Sequence, residues 1–259
     1  MKKYLAFIKI GAKEESQSFS GFVIRLCFYI LVIFVYAKMW DTIGKDNVIG
    51  LSARDFIWYL SIGELFYFSR PREISLQIEE EVRSGSIAYT LTKPISYLAS
   101  KMLRYMTAAF VRIPILTLFG LIVTYLITKE LPSTFSALPI IFGLSILSLI
   151  AWAMVDITIG TCALWMHDTT PIQWLVQKLD FILGGLMIPL TVFPIWYQEI
   201  AYKAPFAWMN FGVARLIYEY TPERAFETLH HLIIWNTIIA VLMIASFSKL
   251  SKNVSVSGG

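Results

Sequence analysis

Long, nearly uninterrupted apolar runs restrict this chain more than any other feature. Six stretches, at residues 22–40, 56–68, 106–127, 138–166, 181–196 and 232–247, are built almost wholly from aliphatic and aromatic residues. A helix needs roughly 20 apolar residues to cross a bilayer core about 30 Å thick. Two of the six are weaker: 56–68 contains Glu64 and follows Arg54 and Asp55, and 181–196 reaches full length only when extended back through Gln173. Lipid offers no partner to backbone N–H and C=O groups, so every crossing segment must be helical. Only 15% of the 259 residues are charged, where a soluble domain carries about a quarter. The expectation is an all-α polytopic membrane protein with a single domain over 1–259 and six transmembrane helices.

One segment breaks the pattern. Residues 78–97 read IEEEVRSGSIAYTLTKPISY, with Glu79, Glu80 and Glu81 in succession, then Arg83, a Ser-Gly-Ser break and Lys93-Pro94. A carboxylate at the bilayer centre costs roughly 2.5–3.5 kcal/mol on insertion scales, so three in a row place this segment in water. Ser75 is the expected N-cap of a short helix over 75–82, with Ile74, Ile78 and Val82 on one face and Gly85 permitting the turn that follows. With six spans both termini share a side with this segment, and Arg70, Arg72, Arg83, Lys93, Lys101 and Arg104 cluster around it. The excess of basic residues makes that side cytoplasmic. The N-terminal residues contain Glu14, Glu15 and a serine-rich stretch before any apolar core, so they are not a signal peptide. Tyr4, Leu5, Ile8 and Ala12 at helical spacing predict an amphipathic helix over 1–19 on the inner leaflet.

The stretch Glu81-x-Arg83-x-Gly85-x-Ile87-x-x-x-Leu91-x-x-Pro94-Ile95-Ser96 resembles the loop between the second and third spans of permease subunits of bacterial ABC type 2 exporters, and the 254–259 tail is similar to one bacterial subgroup. The resemblance implies a type V exporter-like fold in which 70–97 is a coupling loop, carrying a coupling helix that docks on a separate ATPase. On that reading Glu79, Glu80, Glu81, Arg83, Gly85 and Pro94 are the ATPase-coupling residues. The resemblance further implies two copies of the ATPase, holding ATP and magnesium, a second identical or homologous permease subunit, and a bacterial inner membrane with both termini cytoplasmic. The implied activity is export of a hydrophobic or amphipathic compound such as a drug, antibiotic or lipid-like molecule. Alternatives are export of a lipid-linked polymer or peptide, and a membrane-bound enzyme or scaffold without a pump.

Four charged residues, Arg25, Glu64, Arg112 and Asp156, fall inside the first four spans. Intramembrane ionisable groups face the interior and pair, so Glu64–Arg112 and Arg25–Asp156 pairs, or the swap, are expected, with a gating or substrate role as the sharper reading. Trp152, Met154, Met187 and Phe193 are candidates for an adaptable apolar substrate path. Gly184, Gly185, Pro189 and Pro194 predict a bend in the fifth span. The aromatic, polar segment 197–227 reads either as a re-entrant external element, which the resemblance implies, or as an interfacial loop. No Walker phosphate-binding loop, zinc-protease motif or serine-hydrolase motif is present, so no catalysis, metal or cofactor is assigned to this chain. The net charge of +4 is dispersed, unlike the basic patch of a nucleic-acid binder.

Overall fold

The computed structural model describes residues 12, 19–43, 51–166 and 168–251. The helix expected over 1–19 falls, apart from residues 12 and 19, outside the described residues, as do 44–50, His167 and the 254–259 tail. All regular structure among the described residues is helical. Three helical stretches, Tyr97–Thr128, Phe135–Met166 and Pro222–Leu250, are long and apolar enough to cross a membrane.

Local chemistry sets the helix ends. After α1 (Phe19–Ile43), α2 (Ala53–Ser69) starts at Ser52, whose side chain accepts from the Asp55 N–H at 3.1 Å. It stops at Arg70, which is extended (φ −70°, ψ 121°) because the ring of Pro71 excludes the helical conformation from the residue before it. The polar segment after α2 holds α3 (Glu73–Arg83) and α4 (Ser86–Leu91), joined through Gly85 at φ +73°, a left-handed conformation that glycine adopts without cost. The first of these begins two residues before the expected Ser75 cap. Ser75 instead lies in the first turn, where its hydroxyl donates to the Arg72 carbonyl at 2.9 Å. Ser96 caps α5 (Tyr97–Thr128), accepting from the Ala99 N–H.

The next helices are α6 (Leu138–Thr161), the short α7 (Ala163–Met166) and α8 (Thr170–Leu183), with Pro171 in the first turn of α8. The fifth apolar stretch is not one helix. After α8 the chain turns at Gly184 and Gly185 (φ +63°), makes a single 3-10 turn at Leu190–Val192, and re-enters a helix only at α9 (Ile195–Tyr202), behind Pro194. The glycines remove the side chains that would hold a helix, and the prolines remove N–H donors. The short helices α10 (Pro205–Met209) and α11 (Phe211–Ala214) follow, then α12 (Pro222–Leu250).

The hub is α6, which packs against α3, α5, α10, α11 and α12. Half of its apolar window is buried, against 28% for α5 and 17% for α12. The outer helices leave apolar side chains uncovered: Ile24, Phe28, Leu31 and Val35 form one stripe on α1, and Val241, Leu242 and Ile244 stand out on α12. Exposed apolar surface on this scale suits a chain solvated by lipid. The short helices at 205–217 are the opposite, with Ala207, Trp208, Met209, Phe211, Val213, Leu216 and Ile217 all buried. Backbone that is neither helix nor sheet keeps its polar groups satisfied most easily where protein surrounds it, as it does around 205–217.

Candidate functional site

Helix α3, in the polar segment, has two unlike faces. Ile74 and Ile78 point inward and are buried, and Val82 packs against the same core, as a spacing of four residues on one helical face requires. The seam with α6 is close: a Cβ added at Gly160 would lie 2.8 Å from the Ile78 Cβ and 2.9 Å from the Ser75 carbonyl oxygen. On the outer face Leu76 is 52% exposed and Glu80 is exposed, and Tyr89 on α4 is 71% exposed with the Lys93 ammonium 4.9 Å from its ring centre. Arg83, Gly85 and Pro94 are exposed as well.

Of the three consecutive carboxylates, only Glu80 faces outward. Glu79 is buried and accepts from the Thr169 hydroxyl at 2.5 Å and the Thr169 N–H at 3.3 Å, at the start of α8. Glu81 accepts from the Lys101 ammonium at 2.5 Å and the Tyr97 hydroxyl at 2.8 Å, at the start of α5. A third strut comes from Glu73, which binds Arg25 of α1 at 2.7 Å and Arg112 of α5 at 2.9 Å. Thus three carboxylates fasten α3 to three separate helices. Sequence reading missed Glu73, although the signal for the other two is present. With Ile78 inward and 100° between residues, Glu81 lies about 60° and Glu79 about 100° from that direction, while Glu80 lies about 160° away.

Burial alone would raise the Glu73 carboxyl, but Arg112, together with Arg25, outweighs it and holds the group below the usual carboxylate range. A depressed pKa adds stability above the unfolded value, roughly 4.3 for Glu, and loses it as pH falls through the folded value. Glu73 is therefore expected to leave the melting temperature flat between about pH 6 and 8 and to lower it only below about pH 4. Comparison of wild type with Glu73→Gln checks this: the acid drop should be shallower in the variant.

The intramembrane charges are arranged differently from expectation. Arg25 and Arg112 converge on Glu73 rather than on Asp156 and Glu64. Glu64 is buried within α2, and Asp156 is buried on α6 with one carboxylate oxygen lacking a hydrogen-bond partner among the described residues. The fully buried pair is Arg70 with Asp180, at 2.9 Å, with side chains 2% and 0% exposed. Asp180 also accepts from the Asn210 side chain, whose oxygen takes the Trp152 indole N–H at 3.4 Å. Arg70 lies 3.3 Å from the Trp152 ring centre. Sequence reading placed Arg70 in the loop and Asp180 in an extension of the fifth span. The signal for Asp180 was its position directly before the apolar run that begins at Phe181.

The structure does not gather the four substrate-path candidates. Trp152 and Met154 are buried in the core, whereas Met187 is partly exposed and Phe193 stacks on Tyr197 at 4.6 Å in the irregular stretch after α8. A polar cavity of about 420 Å³ beside α3, walled by Arg25, Arg70, Arg72, Glu73 and Asp156, is lined by none of the four.

A comparison with curated proteins finds no match. The family model described as ABC-2 family transporter protein matches residues 22–255, nearly the whole chain. Its extent, together with apolar helices wrapped around a buried polar core, settles the assignment: the chain belongs to the ABC-2 family of transporter proteins and is a multi-pass membrane permease component of an ABC transporter.

Proposed function

We propose that this permease exports a hydrophobic or amphipathic compound, in the manner of multidrug efflux, powered by a separate ATPase that grips α3 and α4. In this reading the helices complete six spans with cytoplasmic termini in the bacterial inner membrane, 197–227 lies on the outer side, and two permease subunits work with two ATPases. The observation that carries it is the division of α3: Glu73, Glu79 and Glu81 anchor it inward while Leu76 and Glu80 are exposed, as is Tyr89 on the neighbouring α4. A helix braced on one face and exposed on the other transmits a push without melting. The apolar anchors Leu76 and Tyr89 would supply affinity, and the rim charges Glu80, Arg83 and Lys93 orientation and association rate.

The test is co-purification from native membranes. An ATPase should accompany the wild-type chain and be lost with Leu76→Ser combined with Tyr89→Ala, both exposed and so without effect on folding. An ATPase that stays bound to this double variant, or none with the wild type, overturns the reading.

A further inference from the structure

A second cavity, of about 430 Å³, lies between α9, α10, the 3-10 turn at Arg215–Ile217 and the first turns of α12, and none of its lining residues belongs to α3 or α4. Its volume suits a small ligand. Part of its wall is already fixed. Trp208 is buried, donates its indole N–H to the Tyr202 carbonyl at 2.8 Å and is stacked at 3.7 Å by His231, whose Nδ1 lies 3.0 Å from the Glu227 carbonyl. Arg215 is buried too, with its guanidinium 5.7 Å from the Trp208 ring centre and bound to the Glu227 carboxylate at 2.7 Å. A wall held in this way costs little further ordering when a ligand arrives.

Other polar groups of the cavity are uncommitted. The Arg215 Nε donor is buried without a hydrogen-bond partner among the described residues, which is costly. Glu227 is exposed and spends only one carboxylate oxygen on Arg215. Glu199 and Lys203, one helical turn apart at the end of α9, are both exposed and form no ion pair with each other or with any other described residue. Opposite charges at that spacing can reach each other, yet here both line the cavity unpaired. A ligand that satisfies all four groups brings an anion for Lys203 and Arg215 and, beside it, an ammonium for Glu199 and Glu227. The same elements carry exposed apolar side chains, Ile195, Trp196 and Ile200 on α9 and Phe226 on α12, and α12 is long and apolar enough to cross a membrane. An aromatic and aliphatic surround at the end of such a helix is the setting of a lipid headgroup.

We infer that this cavity binds a phosphoethanolamine zwitterion, the chemistry of a phosphatidylethanolamine headgroup or of its soluble glycerophosphodiester counterpart. Lys203 and the Arg215 Nε hold phosphate oxygens, Glu199 and the second oxygen of Glu227 accept from the ammonium, and the exposed apolar side chains of α9 and α12 take the acyl chains. The leaflet in which this happens rests on the orientation proposed above; the binding chemistry does not.

Native mass spectrometry of the full chain, released from nanodiscs holding equal phosphatidylethanolamine, phosphatidylcholine and phosphatidylglycerol, tests this without any turnover. Phosphatidylcholine keeps the positive charge but has no N–H to donate, and phosphatidylglycerol has no ammonium at all. Phosphatidylethanolamine should be retained about tenfold more than either, the weight of one charge-assisted hydrogen bond. Glu199→Gln should abolish that preference, and Lys203→Gln should cut retention of phosphatidylethanolamine by a similar factor; both positions are exposed, so neither change disturbs folding. Glu223→Gln, exposed on α12 but outside the cavity, should change nothing. Competition by millimolar glycerophosphoethanolamine identifies a soluble zwitterion as the source, and its failure to compete identifies the lipid. Equal retention of the three lipids, a preference untouched by Glu199→Gln and Lys203→Gln, or an equal fall with Glu223→Gln overturns the proposal.

Discussion

Asp180→Ala is expected to cost about 3–5 kcal/mol, the penalty for stranding one member of a buried ion pair. Arg70 would keep its charge at 2% exposure with its carboxylate gone, and the Asn210 amide would lose its acceptor at the same time. Because Asn210 joins α10 to α11 and receives the Trp152 indole, the damage should spread to the buried 205–217 segment. Thermal unfolding of the detergent-purified protein should fall on the order of 10 °C, with proteolysis appearing first around 205–217. Replacing both partners, Arg70→Met with Asp180→Leu, removes the stranded charge and should recover most of the loss, since apolar replacements of buried pairs are often neutral. A melting point for Asp180→Ala within a degree or two of wild type would show that the pair does not stabilise the fold.

The second large effect is expected at Gly160. A leucine there drives its Cβ into the Ile78 side chain and the Ser75 carbonyl, both closer than 3.0 Å, so α3 must move away from α6. Overpacking of this kind costs about 1–3 kcal/mol, and displacement of the lever should matter more than that cost. If α3 carries the ATPase stroke, Gly160→Leu should cut export more than about tenfold while a bound ATPase still hydrolyses ATP, because a small misplacement of a coupling element is amplified in rate. Gly143→Leu is the control, since a side chain at Gly143 meets nothing within 4 Å. Equal export by the two variants would remove the α3–α6 seam from the mechanism.

These residues show where sequence reading reached and where it stopped. Ile74, Ile78 and Val82 were legible as one helical face because helical periodicity is local, and Gly85 was legible as a turn for the same reason, whereas the cap expected at Ser75 lies two residues inside α3. The break in the fifth stretch followed from Gly184, Gly185, Pro189 and Pro194, although not its extent, because neighbours decide how far an irregular backbone can run. The charge pairing was not legible. Glu73 and Arg112 are 39 residues apart, and Arg70 and Asp180 are 110 apart, and any of the intramembrane cations could have met any of the anions at similar depth.

The order of residues alone determined that the chain is helical, lives in lipid and keeps one polar knuckle outside it, since each of these follows from apolar run length and from the cost of burying charge. Only the tertiary structure decided that two of the knuckle's three adjacent carboxylates turn inward as struts, that Arg70 reaches Asp180, and that 205–217 is enclosed. Periodicity says which residues share a face of a helix; which helix that face meets is set by packing across the whole bundle.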